Sequence, residues 1–117
     1  GTHESYVKAQ ADVLEGKVDV ELDGFEISPG VWVAEGADVH PDAVLRGPVY
    51  IGDYAKVEAG AEIREDTVIG SNVVVKSGSF LHKTVVHDNV YIGQQSNLRG
   101  CVIGKNTDVM RAARIED

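Results

Sequence analysis

One feature constrains the fold of this chain more than any other: aliphatic residues recur every six residues through most of its length. A helix would repeat near 3.6 residues, and ordinary strands would lose a fixed period at their irregular turns. A second, mostly small series lies two residues before each aliphatic, so in extended strands both series share one face. With two five-residue steps, the aliphatic series is Val33, Val39, Leu45, Ile51, Val57, Ile63, Ile69, Val75, Leu81, Val86, Ile92, Leu98, Ile103, Val109 and Ile115. This pattern is typical of a hexapeptide-repeat solenoid.

Longer similarity within the repeat predicts a three-sided coil. The stretches 45–52, 63–70, 81–88 and 98–104 align at steps of 18, 18 and 17 residues, which is one turn of three hexads each. The position three after each aliphatic is mostly Gly, Asn or Asp, which tolerate a left-handed backbone. Tyr54, Gln95 and Ala112 depart from that preference. We therefore predict an all-β fold, with four to five coils over residues 31–117 stacked as parallel strands.

Residues 1–30 read as a linker helix and a β-hairpin before the solenoid. Residues 3–15 fit a helix that stops at Gly16, and residues 18–27 fit two short strands around an Asp-Gly turn. Phe25 and Trp32 are expected to cluster over the open top of the first coil. The predicted helix has one mostly apolar side, made of Tyr6, Gln10, Val13 and Leu14. Because residues 115–117 begin another hexad without a cap, we expect the chain to be truncated at both ends.

The composition narrows the classes of partner. The net charge is −8 and the isoelectric point is about 4.8, which argues against nucleic acid or an anionic membrane surface. No apolar run approaches the roughly twenty residues that span a bilayer, and no signal peptide opens the chain. The single cysteine, Cys101, falls in the small inward series and reads as a buried thiol. We predict a cytoplasmic protein.

The repeat units resemble those of left-handed parallel β-helix proteins. They read IleGlyAspTyrAlaLys, IleGlySerAsnValVal and IleGlyLysAsnThrAsp. The opening GlyThrHisGluSerTyrValLysAlaGln resembles the Gly-Thr-Pro-Glu-x-Tyr-x-x-Ala segment that closes the catalytic core of sugar-nucleotide pyrophosphorylases, with His3 at the usual proline. In order, these segments are similar to the C-terminal part of mannose-1-phosphate guanylyltransferases and related sugar nucleotidyltransferases, and the similarity covers essentially the whole chain.

This resemblance implies a parent enzyme that joins a sugar 1-phosphate to a nucleoside triphosphate, with Mg²⁺, and releases pyrophosphate. The product implied is an NDP-sugar, GDP-mannose for the subfamily most similar. The family's Gly-rich phosphate loop, lysine and metal-binding carboxylates have no match here. We therefore assign no catalytic, cofactor-binding or metal residue to this chain. Its implied role is to assemble subunits, hold a separate N-terminal catalytic domain, or carry regulation.

Two other classes stay open on the residues alone. His82 and His87 have the spacing of a histidine pair in gamma-class carbonic anhydrases, which share the repeat, but Arg46 stands at the third ligand position. His82 is also the candidate general base if the chain resembles a hexapeptide acyltransferase. The remaining alternative is a pure oligomerisation scaffold.

Two sets of outward positions are candidates for interaction. Arg46, Arg64, His82 and Arg99 share one position of the 18-residue repeat, which predicts a column that is either a salt-bridged surface or an anion site. Apolar residues that precede an inward aliphatic predict a homo-oligomer, a dimer or trimer, with contact through Tyr50, Phe80 and Tyr91. The full apolar set is Tyr50, Val68, Val74, Phe80, Val85, Tyr91 and Val102.

Overall fold

A computed structural model describes residues 25–116, and every helix or strand in that range is a β-strand. The strands are β1 (Phe25–Ser28), β2 (Val31–Val33), β3 (Asp38–Val39), β4 (Val44–Leu45), β5 (Val49–Ile51), β6 (Lys56–Val57), β7 (Glu62–Ile63), β8 (Thr67–Ile69), β9 (Val74–Val75), β10 (Phe80–His82), β11 (Val85–Val86), β12 (Tyr91–Ile92), β13 (Asn97–Arg99), β14 (Val102–Ile103), β15 (Asp108–Val109) and β16 (Arg114–Glu116). The predicted all-β fold is confirmed.

The strands after β1 form three parallel sheets, one on each side of a left-handed parallel β-helix. Sheet A runs β2-β5-β8-β11-β14, with β1 added beside β2. Sheet B runs β3-β6-β9-β12-β15, and sheet C runs β4-β7-β10-β13-β16. Each coil therefore contributes one strand to each sheet, and the five strands per sheet correspond to five coils.

The inward series stacks in register, as the period predicts. In sheet A, Ile51 lies opposite both Val33 and Ile69, and Ile69 lies opposite Val86. Within the central coils these side chains are completely buried, Ile51 and Ile69 among them. Burying a branched aliphatic side chain contributes about 1.5–3 kcal/mol, so this column is the main source of stability.

The corner between sheets C and A absorbs both five-residue steps. Leu81 to Val86 is one residue shorter than Ile63 to Ile69, and yet Val86 still lies opposite Ile69, as Leu81 does opposite Ile63. The short corner carries Lys83 at a φ of 51°, and its counterpart one coil later carries Gly100 at 64°. A tighter left-handed turn thus removes one residue without changing the inward register.

The three sequence exceptions at the turn position adopt the same backbone as their glycine and asparagine counterparts. Tyr54, Gln95 and Ala112 have φ values of 59°, 57° and 57°. Non-glycine residues in this region carry a strain of about 1 kcal/mol or more. The coil geometry therefore determines the backbone at these positions, whatever the side chain.

The first hairpin joins β1 to β2 in antiparallel fashion. The chain turns at residues 29–30 between these strands, with Gly30 at a φ of 74°. The predicted helix at 3–15 and strand at 18–22 lie outside the described residues. The expected cluster of Phe25 and Trp32 over the first coil is wrong. Phe25 is 63% exposed, while Trp32 immediately precedes an inward residue and packs on the outside of sheet A.

Four polar side chains are fully buried among the inward small residues that the structure describes, and three of them have hydrogen bonds. Ser79 Oγ and Ser96 Oγ both donate to the carbonyl of Gly93, at 2.9 and 2.7 Å. Thr84 Oγ1 lies 2.9 Å from the carbonyl oxygen of His82. Thr67 Oγ1 is buried and has no hydrogen-bond partner within the part of the chain that the structure describes. An unpaired buried hydroxyl is a local cost to stability.

Candidate functional site

The outward positions of the three sheets form three surfaces with different chemistry, which we call face A, face B and face C after their sheets. On each, one row consists of the residues just before the inward aliphatics and a second row of those just after them. Because strands stack in register, each row is a straight line along the helix axis. The three faces are therefore the units on which a functional site can be built.

Face A is apolar along its whole length. Its first row is Trp32, Tyr50, Val68, Val85 and Val102, paired strand by strand. Its second row is Ala34, Gly52, Gly70, His87 and Gly104, set by backbone hydrogen bonds between successive coils. Neither row contains Asp, Glu, Lys or Arg. An apolar row beside a line of small residues, interrupted by His87, is suited to packing against another segment of protein.

Burial on face A is greatest in the middle of the row. Val68 and Val85 are only 4% and 2% exposed although both point outward, and Trp32 and Tyr50 pack against them. By contrast, Val102 at the end of the row is 36% exposed. The middle of face A is therefore as inaccessible to water as the interior.

Face B carries charges, with an ion pair at its centre. Lys76 Nζ lies 2.7 Å from Glu58 Oε2, and Ser77 donates to Glu58 Oε1 from its hydroxyl at 3.2 Å and its backbone N–H at 3.3 Å. A groove of about 320 Å³ lies beside the pair, lined by Asp38, His40, Lys56, Val57, Glu58, Ala59 and Ser77. Sequence reasoning missed this pair. Its signal was present, since the opposite charges are 18 residues apart, one coil of the repeat.

The ion pair shifts the protonation of both partners. The hydrogen bond from Lys76 is the largest influence on Glu58 and lowers the pKa of its carboxyl below the ordinary value of 4.5. The same hydrogen bond raises the pKa of Lys76. Glu58 therefore stays ionised and committed to its neighbours, which makes it a structural carboxylate rather than a general base.

Face C holds the predicted column of cations. Arg99 lies opposite His82 in the strand register, and backbone hydrogen bonds place Arg64 and Arg46 on the next two coils in the same row. The predicted alignment is confirmed. The column also contacts an aromatic ring, since the Arg99 guanidinium lies 4.6 Å from the centroid of the Phe80 ring.

Arg64 in that column is neutralised by two carboxylates close to it in the sequence, Glu62 and Glu65. Arg64 Nη1 lies 3.0 Å from Glu62 Oε2, and Arg64 Nε lies 2.8 Å from Glu65 Oε1. These hydrogen bonds raise the pKa of Arg64, and Arg64 in turn lowers the pKa of Glu65. An anion would have to displace both carboxylates, so the geometry favours a salt-bridged surface over an anion site at this position.

The three predicted interface aromatics lie on three different faces. Tyr50 belongs to β5 on face A, Tyr91 to β12 on face B and Phe80 to β10 on face C. One flat contact cannot contain all three. Of the full apolar set, Tyr50, Val68, Val85 and Val102 lie in one row on face A. The role of the aromatics in assembly stays a prediction.

The histidine pair does not converge on a metal geometry. His82 ends β10 in sheet C and His87 follows β11 in sheet A. Within residues 25–116, no three His, Cys, Asp or Glu side chains come together as a set that could hold a metal ion. The same residues contain no helix of the length and apolarity needed to cross a bilayer.

Comparison with known proteins identifies relatives of this arrangement. The family model described as "GMPPB C-terminal domain" matches residues 45–117. The bifunctional protein GlmU of Geotalea uraniireducens is 30% identical over 90 residues, covering 77% of this chain and 20% of that protein. A UTP–glucose-1-phosphate uridylyltransferase of Synechocystis is 29% identical over 119 residues, covering 92% of this chain and 31% of that protein.

Solved structures show the same fold at lower sequence similarity. The acetyltransferase domain of PglB from Neisseria gonorrhoeae superimposes with a TM-score of 0.52 and 18% identity, covering 94% of this chain and 55% of that one. At this level of identity the likeness concerns the fold alone. The chain spans only 20% and 31% of the length of the two curated relatives named above.

Proposed function

Because the chain belongs to the GMPPB C-terminal domain family, we propose that it is the non-catalytic assembly domain of a sugar-1-phosphate nucleotidyltransferase that makes GDP-mannose. One of the two curated relatives named above is a UTP–glucose-1-phosphate uridylyltransferase, and the chain covers only a part of each relative. The family match over residues 45–117 is the observation that carries the proposal.

The chemistry of the described residues supports a non-catalytic role. The charged groups with the shortest ionic contacts are already paired. Glu58 pairs with Lys76, and Arg64 pairs with Glu62 and Glu65. Phosphoryl-type transfer needs cations and metal-binding carboxylates that converge on the reacting phosphates. The described residues do not fit a Mg²⁺ site, so the proposal places the metal and the nucleotide in a separate catalytic domain.

The test compares the 117-residue chain with the complete gene product that carries it. We expect the complete protein, with Mg²⁺, to release pyrophosphate from GTP and mannose 1-phosphate faster than from UTP and glucose 1-phosphate. The 117-residue chain by itself should release none. Pyrophosphate release by the short chain would contradict the non-catalytic role, and a preference of the complete protein for UTP would contradict the substrate assignment. Acetyl transfer from acetyl-coenzyme A by either protein would favour the acyltransferase alternative.

Assembly is the second part of the proposal. Tyr91 is 44% exposed on face B and lies opposite Val74, and Phe80 is half-buried on face C. These are the aromatic side chains in the first rows of the two faces that otherwise carry charge, and Val44 on face C and Met110 on face B are exposed apolar side chains as well. We propose that a dimer or trimer forms by contact through these faces, and that it tightens with salt because the net charge of −8 is then screened.

Light scattering at micromolar concentration tests the assembly. The wild-type chain should have the mass of a dimer or trimer at moderate salt. Tyr91→Glu or Phe80→Glu should shift it toward the monomer, whereas Tyr54→Glu, at an exposed corner, should not. A monomeric wild type, or a mass unchanged by both substitutions, would contradict contact through these faces.

A further inference from the structure

Two exposed apolar side chains border one groove on face B, at the end formed by β12 and β15. Tyr91 is 44% exposed and Met110 is 80% exposed. The groove has a volume of about 300 Å³ and is lined by Tyr91, Gly93, Gln94, Asp108, Val109, Met110 and Arg111. Gly93 and Val109 are buried and form its floor. Tyrosine and methionine are enriched in protein interfaces, so this groove is a candidate interaction surface.

The same groove carries one charge of each sign. Asp108 lies in the first row of face B, opposite Tyr91 in the strand register, and Arg111 lies at the following corner, one coil after Gln94. Both charged residues are exposed. Within residues 25–116, neither of them makes an ion pair or a side-chain hydrogen bond. Both charges are therefore available to a partner.

We propose that the partner is a second copy of this chain, which packs its face B against the same face of the first copy in a two-fold dimer. A patch that carries both charges, a ring and a groove is complementary to itself, as a two-fold contact requires. With the two-fold axis along the stacking direction, between Val109 and Met110, Asp108 of each copy lies opposite Arg111 of the other. Tyr91 then lies over the groove of the other copy, beside Gln94.

The rest of face B is compatible with this arrangement. The same axis places the first row of one copy opposite the corner column of the other, which consists of the residues two after each inward aliphatic. That column has a single charged member, and it reads Pro41, Ala59, Ser77, Gln94 and Arg111. The second row faces itself, and there Glu58 and Lys76 are already paired within one copy, so they bring little net charge to the contact.

This contact deepens the assembly part of the proposed function and rests on it. It selects face B, and it selects a dimer over a trimer because a two-fold contact closes with two copies. It does not depend on the enzymatic part of the proposed function.

Charge reversal tests the contact in the 117-residue chain. Asp108→Arg and Arg111→Asp each create two pairs of like charges in the dimer, one on either side of the axis. Each should raise the dissociation constant at least about tenfold, measured by analytical ultracentrifugation. Net charge does not account for both results, because Asp108→Arg makes the chain less negative and Arg111→Asp makes it more negative.

Two matched controls make the same changes of net charge away from the groove. Glu35→Arg and Lys105→Asp lie at the corner between faces A and B, where both side chains are exposed. At moderate salt, where distant charges are screened, both controls should leave the dissociation constant unchanged.

Mixing the two reversed variants separates a lost contact from a lost fold. Asp108→Arg mixed with Arg111→Asp should form a mixed dimer, because opposite charges then meet on both sides of the axis. Native mass spectrometry distinguishes this mixed dimer from either variant paired with itself. A double variant with both substitutions should dimerise as the wild type does.

Cross-linking tests the position of the axis. Met110 lies beside the proposed axis, so Met110→Cys in a Cys101→Ser background should link two copies through this single site with a short bismaleimide. Val44→Cys, at a residue exposed on face C, should give no linked dimer.

The outcomes that contradict the proposal are distinct from those that contradict the assembly itself. A wild-type chain that stays monomeric would contradict both, and would leave the groove to a different protein. An oligomer whose dissociation constant is unchanged by Asp108→Arg and Arg111→Asp would overturn this contact alone. The absence of a mixed dimer from two variants that are each monomeric would overturn it too.

Discussion

Face A and face B have the same backbone geometry, but their outward side chains differ in burial and charge. Behind each lies the same inward stack, and Val75 of sheet B is as completely buried as Ile69 of sheet A. On the outside, Val68 is 4% exposed in an apolar row, while Val74 is half-buried beside Lys56 and Tyr91. The comparison teaches that the six-residue period determines the interior and leaves each outer face free to serve a separate purpose.

The largest loss of stability should come from charged substitutions at the inward positions, where sheets A and B are equally buried. Ile69→Asp in sheet A and Val75→Asp in sheet B each bury a carboxylate without a partner, which costs several kcal/mol or more. Since small domains have about 5–15 kcal/mol in total, both variants should be largely unfolded. Urea titration followed by circular dichroism measures this.

The control for the inward pair is Glu62→Asp, an outward residue on face C. It keeps the charge and should cost under about 0.5 kcal/mol, because the pair with Arg64 is partly exposed. If either inward variant has the same urea midpoint as the wild type, the inward register assigned to that sheet is wrong.

The second effect separates the two faces directly. Val68→Asp should destabilise the chain by at least about 3 kcal/mol, because Val68 is only 4% exposed and a carboxylate there would lose its hydration. Val74→Asp should cost about 1 kcal/mol, mainly through the lower strand propensity of aspartate, since Lys56 lies opposite. Urea midpoints of the two variants measure the difference, and equal losses would remove the distinction between the faces.

A smaller effect, of opposite sign, lies inside sheet A. Thr67→Val removes a buried hydroxyl that has no partner within residues 25–116 and should stabilise the chain by about 1 kcal/mol. Thr84→Val is the matched control one coil along. Its hydroxyl lies 2.9 Å from the carbonyl oxygen of His82, so its loss should destabilise the chain. Thermal melting of both variants shows whether each substitution raises or lowers stability. A loss of stability in Thr67→Val would show that the Thr67 hydroxyl has a hydrogen-bond partner.

The smallest effect concerns acid stability on face B. The folded-state pKa of Glu58 is lowered from 4.5, so its stabilising contribution is present above that pH and is lost as the pH falls through the folded value. Glu58→Gln should therefore lower the melting temperature at neutral pH and flatten its decline below pH 4.5. The control is Lys76→Gln, alone and combined with Glu58→Gln. If the melting temperature of the double variant falls by as much as the sum of the two single variants, the ion pair between Glu58 and Lys76 is not the source of the stabilisation.

The buried residues of this fold could be predicted from the sequence, because a fixed six-residue period allows only one set of inward positions. It located the turn positions too, including Tyr54, Gln95 and Ala112, whose residue types gave no sign of a left-handed backbone. The same period could also have shown which face each predicted interface aromatic occupies. Tyr50 and Phe80 are 30 residues apart, which is not a whole number of coils, so they belong to different faces.

The outer faces were harder to predict from the sequence, because side-chain packing on each face, not the six-residue period, decides their burial and ion pairs. Nothing in the hexad of Val68 distinguishes it from that of Val74, yet their burial differs. The partners of Arg64 depended on side-chain conformation, because carboxylates on either side of it were available. Phe25 was placed over the core by its apolar character alone, and it is 63% exposed.

The distinction between the buried middle of face A and the more exposed face B is tested most directly by methyl NMR with a neutral gadolinium agent that broadens solvent-exposed signals. The methyl groups of Val68 and Val85 should be protected to the same degree as those of Val75 in the core. The methyl groups of Val74 and Val102 should be clearly broadened. Broadening of Val68 and Val85 equal to that of Val74 would contradict the account.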